Sequence, residues 1–173
     1  FGGGGTIGRP EQERSQLMAV KTGDRAPEFD LEVTRAGERV RLSDFSGRSN
    51  VLLVFHPFAF TTVCEEEARD LQENLASFRN AETEIVFVAC DPSPARQAWK
   101  KELGAEYTFA SDFWPHGAVS KAYGVFNESN GAPHRGTFLI DKDGAVIWSL
   151  VKIRDERRTE MVPDSLEALG ERA

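Results

Sequence analysis

The sequence predicts an α/β sandwich, and three observations carry that prediction. The runs "VLLVF" (51–55) and "EIVFVAC" (84–90) are continuously apolar, which suits strands covered on both faces. Between them, from Thr62 to Asn80, Ala68, Leu71, Leu75 and Phe78 are spaced three, four and three apart and so share one helical face. Farther along, "GTFLI" and "AVIWSLV" flank "DKDG" and read as a hairpin turned by Asp143-Gly144.

The remaining elements follow in chain order. "EFDLEV" and "ERVRL", joined by "TRAG", form a short N-terminal hairpin. After the strand at 84–90, "DPSPARQAWKKELG" is a helix with Ser93 as its N-cap, Pro94 at its first position and Gly104 as its stop. "YTFA" is a short strand, "GAVSKAYG" a short helix ending at Gly124, and "PDSLEALGER" the closing helix. A right-handed crossover makes the strands at 51–55 and 84–90 parallel. Ligands of such sheets gather at the carboxyl ends of the strands. Cys64 lies nine residues past Phe55, so it falls at that edge, in the first turn of the next helix.

Bulk properties narrow the function. At 173 residues, 40% hydrophobic and 28% charged, the chain has the size and composition of one globular domain. Its first 17 residues, "FGGGGTIGRPEQERSQL", lack a starting methionine and are rich in glycine and polar groups; they read as a flexible tag or expression remnant, with a single domain over 18–173. Arg9 and Arg14 cancel Glu11 and Glu13, so the net charge of −7 does not depend on that segment. Such a charge argues against nucleic acid or an anionic membrane as partner. The basic stretch "KIRDERR" (152–158) is interleaved with acids and reads as solvated surface. No apolar run approaches the roughly 18 to 20 residues of a membrane span, and no signal-peptide layout is seen, so a cytoplasmic protein is expected.

Two cysteines and no C-x-x-C exclude a disulfide framework, so Cys64 and Cys90 are judged separately. A free thiol is only a few per cent ionised at pH 7. Holding a thiol mostly ionised there takes roughly 3.4 kcal/mol of preference for the anion, the equivalent of about 2.5 in pKa. A helix N-terminus supplies about 0.3 to 1 kcal/mol when exposed and up to about 2 in partly buried geometry. A cation is therefore needed. Glu65, Glu66 and Glu67 sharpen that need, because negative charge beside a thiol opposes its ionisation.

Pro57, Thr61 and Cys64 in "PFAFTTVC" match the P-x-x-x-T-x-x-C pattern, and the chain here resembles the peroxiredoxins. "RGTFLID" is similar to the peroxiredoxin segment that brings an arginine, here Arg135, beside the reactive cysteine. "SDFWPHGAVSKAYGVFNE" further resembles the one-cysteine alkyl hydroperoxide reductase E group, with similarity from about Met18 to the C-terminus. This resemblance implies a thioredoxin-like three-layer sandwich with an N-terminal β-hairpin extension. It implies a thiol-dependent peroxidase acting on hydrogen peroxide or organic hydroperoxides, with no cofactor and no metal.

The implied roles have physical reasons. Cys64 is the nucleophile that becomes a sulfenic acid. Thr61 offers a hydroxyl to the sulfur and the peroxide, and Arg135 stabilises the thiolate and the charge that moves onto oxygen. Pro57, without an N–H, walls the pocket, and Glu67 orients the arginine. Glu65 and Glu66 are surface charges.

Cys90 matches no resolving-cysteine spacing and reads as an inert core thiol, so an external thiol or a thioredoxin- or glutaredoxin-like protein must reduce the sulfenic acid. His56, His116 and His134 lack metal-ligand spacing. His56 stands where relatives carry an aromatic residue, and either tunes the pocket or packs as a flat ring. Phe58, Phe60, Phe113 and Trp114 suit a homodimer surface, as the resemblance implies, or core packing equally. The alternative function is a peroxide sensor that relays oxidation to a partner protein.

Overall fold

The structure is a computed structural model that describes residues 18–154 and 156–171; the tag reading of residues 1–17 lies outside the described residues. Strands β1 (Asp30–Glu32) and β2 (Arg39–Arg41) form the expected hairpin, with Leu31 opposite Val40. Strands β3 (Asn50–Phe55) and β4 (Thr83–Ala89) are parallel and in register from Asn50 and Thr83 to Phe55 and Val88. Strand β5 (Thr108–Ser111) continues the parallel set beside β4, and β1 pairs with it antiparallel through Glu32 and Ser111. The N-terminal hairpin thereby extends the central sheet.

A two-residue ribbon, β6 (Phe126–Asn127) with β7 (Ala132–Pro133), was not expected; it is too short for alternation to show. Strand β8 (Arg135–Ile140) then pairs antiparallel with β3, and β9 (Val146–Lys152) pairs antiparallel with β8. The main sheet runs β2-β1-β5-β4-β3-β8-β9. In the β8–β9 turn, Gly144 adopts φ 86° and the Asp141 carboxylate accepts from the amides of Asp143 and Ala145.

The period of two in β3 sorts its side chains into two layers. Val51, Leu53 and Phe55 join Phe29, Leu31, Tyr123, Val125 and Phe138 on one face. Leu52 and Val54 join Ala68, Leu71, Phe78, Trp99, Leu139 and Met161 on the other, the layer that also holds Cys64. Each such side chain contributes about 1.5 to 3 kcal/mol on burial, enough in sum to fix the register.

The predicted helix over 62–80 is two helices, α1 (Thr62–Glu73) and α2 (Leu75–Asn80). Asn74 breaks it at φ −108° and ψ 8°, and its side-chain amide donates to the Asp70 carbonyl at 2.8 Å in place of a continuing turn. Leu71 and Leu75 stay buried across the break, which is why the apolar spacing conceals it. Helix α3 (Ser93–Leu103) starts one residue earlier than predicted, with Pro92 at the cap and the Ser93 hydroxyl donating to Glu32 at 2.5 Å. Gly104 ends α3 in the left-handed region, as expected. Helix α4 (Ala118–Ala122) covers the first face, and α5 (Met161–Gly170) begins two residues ahead of "PDSLEALGER" and packs on the second. Among the described residues, no helix is long and apolar enough to cross a membrane.

Candidate active site

The chain leaves β3 at Phe55, crosses the sheet edge through residues 56–61 and enters α1 with Thr61 at the cap. Thr62, Val63 and Cys64 precede the first residue to bond back along the helix, Glu65, whose amide donates to the Thr61 carbonyl at 2.9 Å. Cys64 therefore sits among first-turn amides with no intrahelical acceptor, where the helix end favours negative charge. Its side chain is fully buried, as is that of Cys90, and both thiols are free.

The cation comes from β8. Arg135 Nη1 donates to Cys64 Sγ at 3.4 Å and to Glu67 Oε1 at 2.5 Å. Glu67 lies one helical turn past Cys64 and is completely buried. It is also held by Arg158, whose backbone N–H and Nε donate to Oε2 at 2.9 and 2.7 Å and whose Nη2 donates to Oε1 at 3.0 Å. Arg158 Nη1 donates in addition to the Gly136 carbonyl and the Thr137 hydroxyl of β8. Burial alone would raise the Glu67 carboxyl, but the Arg158 charge and hydrogen bonds, followed by Arg135, outweigh it and hold the group below its ordinary range. The site thus sets two buried guanidiniums and a buried carboxylate beside the sulfur.

Arg158 is the residue that sequence reasoning missed. The reading of "KIRDERR" as solvated surface fails there, because Arg158 is only 1% exposed. A signal was available: the hairpin turn places Lys152 opposite Arg135, so the residues after Lys152 run past the sheet edge that carries Cys64. Arg157 does remain exposed and pairs with Asp70 on α1, fastening the segment down. Glu65 pairs with Arg69 and Glu66 lies 3.9 Å from Arg157, both on the surface.

Thr61 and Pro57 are where the pattern puts them, but the Thr61 hydroxyl donates to the Phe58 carbonyl at 2.8 Å and not to the sulfur. Having one proton, that hydroxyl offers only lone pairs to anything that enters. A cleft of about 180 Å³ opens here, lined by Pro57, Phe58, Thr61, His134, Arg135 and Arg154 among others. The larger hollow, about 810 Å³, lies at the opposite end of β3 and β8, near Asn50, Glu82, Asp141 and Leu169. Neither cysteine lines it, so size does not locate the thiol chemistry.

His56 is fully buried and stacks on Phe87 with centroids 4.0 Å apart, so it packs as a flat ring. It also approaches Arg96 Nη1 through Nε2 at 2.5 Å. Burial first, then the charges of Arg96, Arg158 and Arg135, hold the imidazole well below its ordinary value. The neutral ring accepts from Arg96. An unfolded histidine protonates near pH 6.5 whereas this one does not, so the unfolded state binds the extra proton and stability falls as pH drops through that value. The wild type is expected to lose up to about 2 kcal/mol more than His56→Phe between pH 7.5 and 5, read from denaturant midpoints. Equal pH slopes in the two proteins would refute this.

Phe58, Phe60, Phe113 and Trp114 are exposed, Trp114 at 82%, which decides against core packing. Among the described residues no group of three or more His, Cys, Asp or Glu side chains comes together to hold a metal ion.

Comparison with known proteins agrees with this geometry. Residues 22–149 match the model of the AhpC/TSA family. The chain is 39% identical over 154 residues to alkyl hydroperoxide reductase E of Mycobacterium tuberculosis, a match spanning 87% of this chain and 98% of that protein. Among solved structures, peroxidoxin BcpB from Mycobacterium tuberculosis has a TM-score of 0.78 at 26% identity, covering 88% of this chain and 97% of its own. Reduced 2-Cys peroxiredoxin of Plasmodium vivax has a TM-score of 0.76 at 30% identity, covering 87% and 81%.

Proposed function

This chain belongs to the AhpC/TSA family of peroxiredoxins, and from that premise we propose a one-cysteine, thiol-dependent peroxidase in which Cys64 reduces hydrogen peroxide or an organic hydroperoxide. The observation that carries this reading is the buried Arg135 guanidinium donating to Cys64 Sγ at 3.4 Å, at the first turn of α1. The thiolate attacks the terminal peroxide oxygen, the S–O bond forms as the O–O bond breaks, and the departing oxygen takes a proton to leave as water or an alcohol. Arg135 follows the charge from sulfur to that oxygen. Thr61 accepts from the peroxide O–H, and Pro57 keeps a competing donor out of the cleft.

An external thiol then attacks the sulfenic acid, releasing water and leaving a mixed disulfide that a second thiol reduces. A low-molecular-weight thiol and a thioredoxin- or glutaredoxin-like protein both fit. Cys90 is an unsuitable resolving partner: burial first, then the Asp112 carboxylate, pushes its thiol up to about 12. Two free thiols suit a reducing compartment such as the cytoplasm. The rings of Phe58, Phe60, Phe113 and Trp114 are exposed, the Ala59 and Phe113 amides are tied to the linked pair Asp91 and Ser111, and this exposed apolar surface supports a homodimer.

Peroxide treatment followed by mass spectrometry tests the reading. One added oxygen on Cys64 is expected, with no Cys64–Cys90 crosslink, and Cys90→Ala should keep wild-type turnover with a small thiol within about twofold. A crosslink, or loss of turnover in Cys90→Ala, overturns the one-cysteine mechanism. Oxidation without turnover on small thiols would favour the sensor.

A further inference from the structure

The loop 56–61 carries the cleft wall and the helix cap, yet it is not an unstrained connection. Phe60 holds φ of 60°, a conformation costly for an aromatic residue, which persists only where neighbours over-determine it. What fixes the loop is a side chain from α3. Arg96 is fully buried between the rings of Phe87 and Phe109. It spends Nη2 on the Phe87 carbonyl at 2.8 Å and Nε on the Ala110 carbonyl at 3.0 Å, and so is bolted to β4 and β5.

The remaining nitrogen, Nη1, points toward the loop from two directions. It meets His56 Nε2 at 2.5 Å, at the loop's first residue. It also lies 3.8 Å from Asp91 Oδ2, and that same oxygen accepts from the Ala59 amide at 2.8 Å. One guanidinium anchored to rigid strands thus grips the loop at residue 56 by a side chain and at residue 59 through a carboxylate. Between and just beyond the grips lie Pro57, the Phe58 carbonyl that takes the Thr61 proton, and Phe60.

We propose that Arg96 is a positioning residue for peroxide reduction, acting with His56 and Asp91 as a clamp that holds Pro57 and Thr61 in place over Cys64. The clamp rests on the peroxidase reading of the site. Its hydrogen bonds go to the strands and to the loop and not to the sulfur, so it governs how the peroxide is oriented more than whether the sulfur reacts. Near-attack geometry is sensitive enough for a displacement of about 1 Å to cost up to about a hundredfold in rate.

Two rates measured at pH 7 separate this role from a merely structural one: oxidation of Cys64 by hydrogen peroxide in single turnover, and its alkylation by iodoacetamide, which needs no oriented O–O bond. Asp91→Ala removes the grip at Ala59 from a partly exposed position, and is expected to slow oxidation about tenfold or more with full amplitude, while alkylation stays within about twofold. Asp91→Asn keeps an oxygen that accepts from Ala59 N–H and should restore the oxidation rate to within about threefold of wild type. His56→Phe keeps the stacked ring, removes the other grip and should repeat the Asp91→Ala pattern; if it does not fold, the Asp91 pair decides. Unchanged oxidation in Asp91→Ala, or equal losses in both rates, overturns the clamp. A wild type that peroxide does not oxidise overturns instead the reading on which the clamp rests.

Discussion

Cys64→Ser is expected to fold normally and to consume no peroxide above the uncatalysed background, a loss of several orders of magnitude. Serine is nearly isosteric in this fully buried position, so the layer around Ala68 and Leu71 keeps its packing. What disappears is the nucleophile. An alcohol ionises too weakly for the Arg135 guanidinium to hold it as an alkoxide at neutral pH, and a neutral hydroxyl does not open an O–O bond at a useful rate. The measurement is peroxide depletion with dithiothreitol as reductant, with far-ultraviolet circular dichroism as the folding control. Residual turnover would place the chemistry on Cys90, against the burial that keeps that thiol protonated.

Glu67→Ala is expected to destabilise the protein by about 3 to 5 kcal/mol, read as a lower denaturant midpoint at unchanged slope. Removing the carboxylate takes away the buried acceptor shared by the Arg135 and Arg158 guanidiniums, each of which is almost completely buried. That is a large fraction of the roughly 5 to 15 kcal/mol that holds a domain of this size together. Replacing Glu67, Arg135 and Arg158 together by methionine should recover much of the stability, because well-packed apolar groups often match a buried ion cluster. Activity should not return with it. Recovery of stability without peroxidase activity would show that the cluster is retained for chemistry; a triple variant no more stable than Glu67→Ala would refute this.

The sheet and the position of Cys64 were readable because their signals are local. "VLLVF" can only be buried on both faces, Asp143-Gly144 can only turn a hairpin, and the spacing from Phe55 to Cys64 leaves the thiol one place to go. Arg135 was readable through its neighbours, "RGTFLID". Arg158 was readable only as part of a segment that the hairpin carries past the site, because its own burial is decided by Glu67, 91 residues earlier in the chain, and nothing next to it in "KIRDERR" distinguishes it from Arg157. The Asn74 break was hidden for the opposite reason, since the apolar spacing runs on while the backbone does not. Phe58, Phe60, Phe113 and Trp114 looked equally fit for a core or a surface, as aromatic composition alone does not separate the two. The clamp of His56, Asp91 and Arg96 draws on three separate segments and has no linear signature.

Strand β8 alternates: Arg135, Thr137 and Leu139 face the layer of Cys64, while Gly136, Phe138 and Ile140 face the other. Gly136 leaves no choice on its side, for a Cβ there would come within 2.7 Å of Val125. The pairing of Thr137 with Val54 therefore makes the placement of Arg135 beside Cys64 a matter of parity. A single residue gained within this strand after Gly136 would swing the guanidinium to the other face and bring Gly136 opposite the sulfur, and one lost there would bring His134. Change in length can be absorbed only by the connections, so lineage divergence of this enzyme is free to remodel its rims but is barred from counting differently along β8.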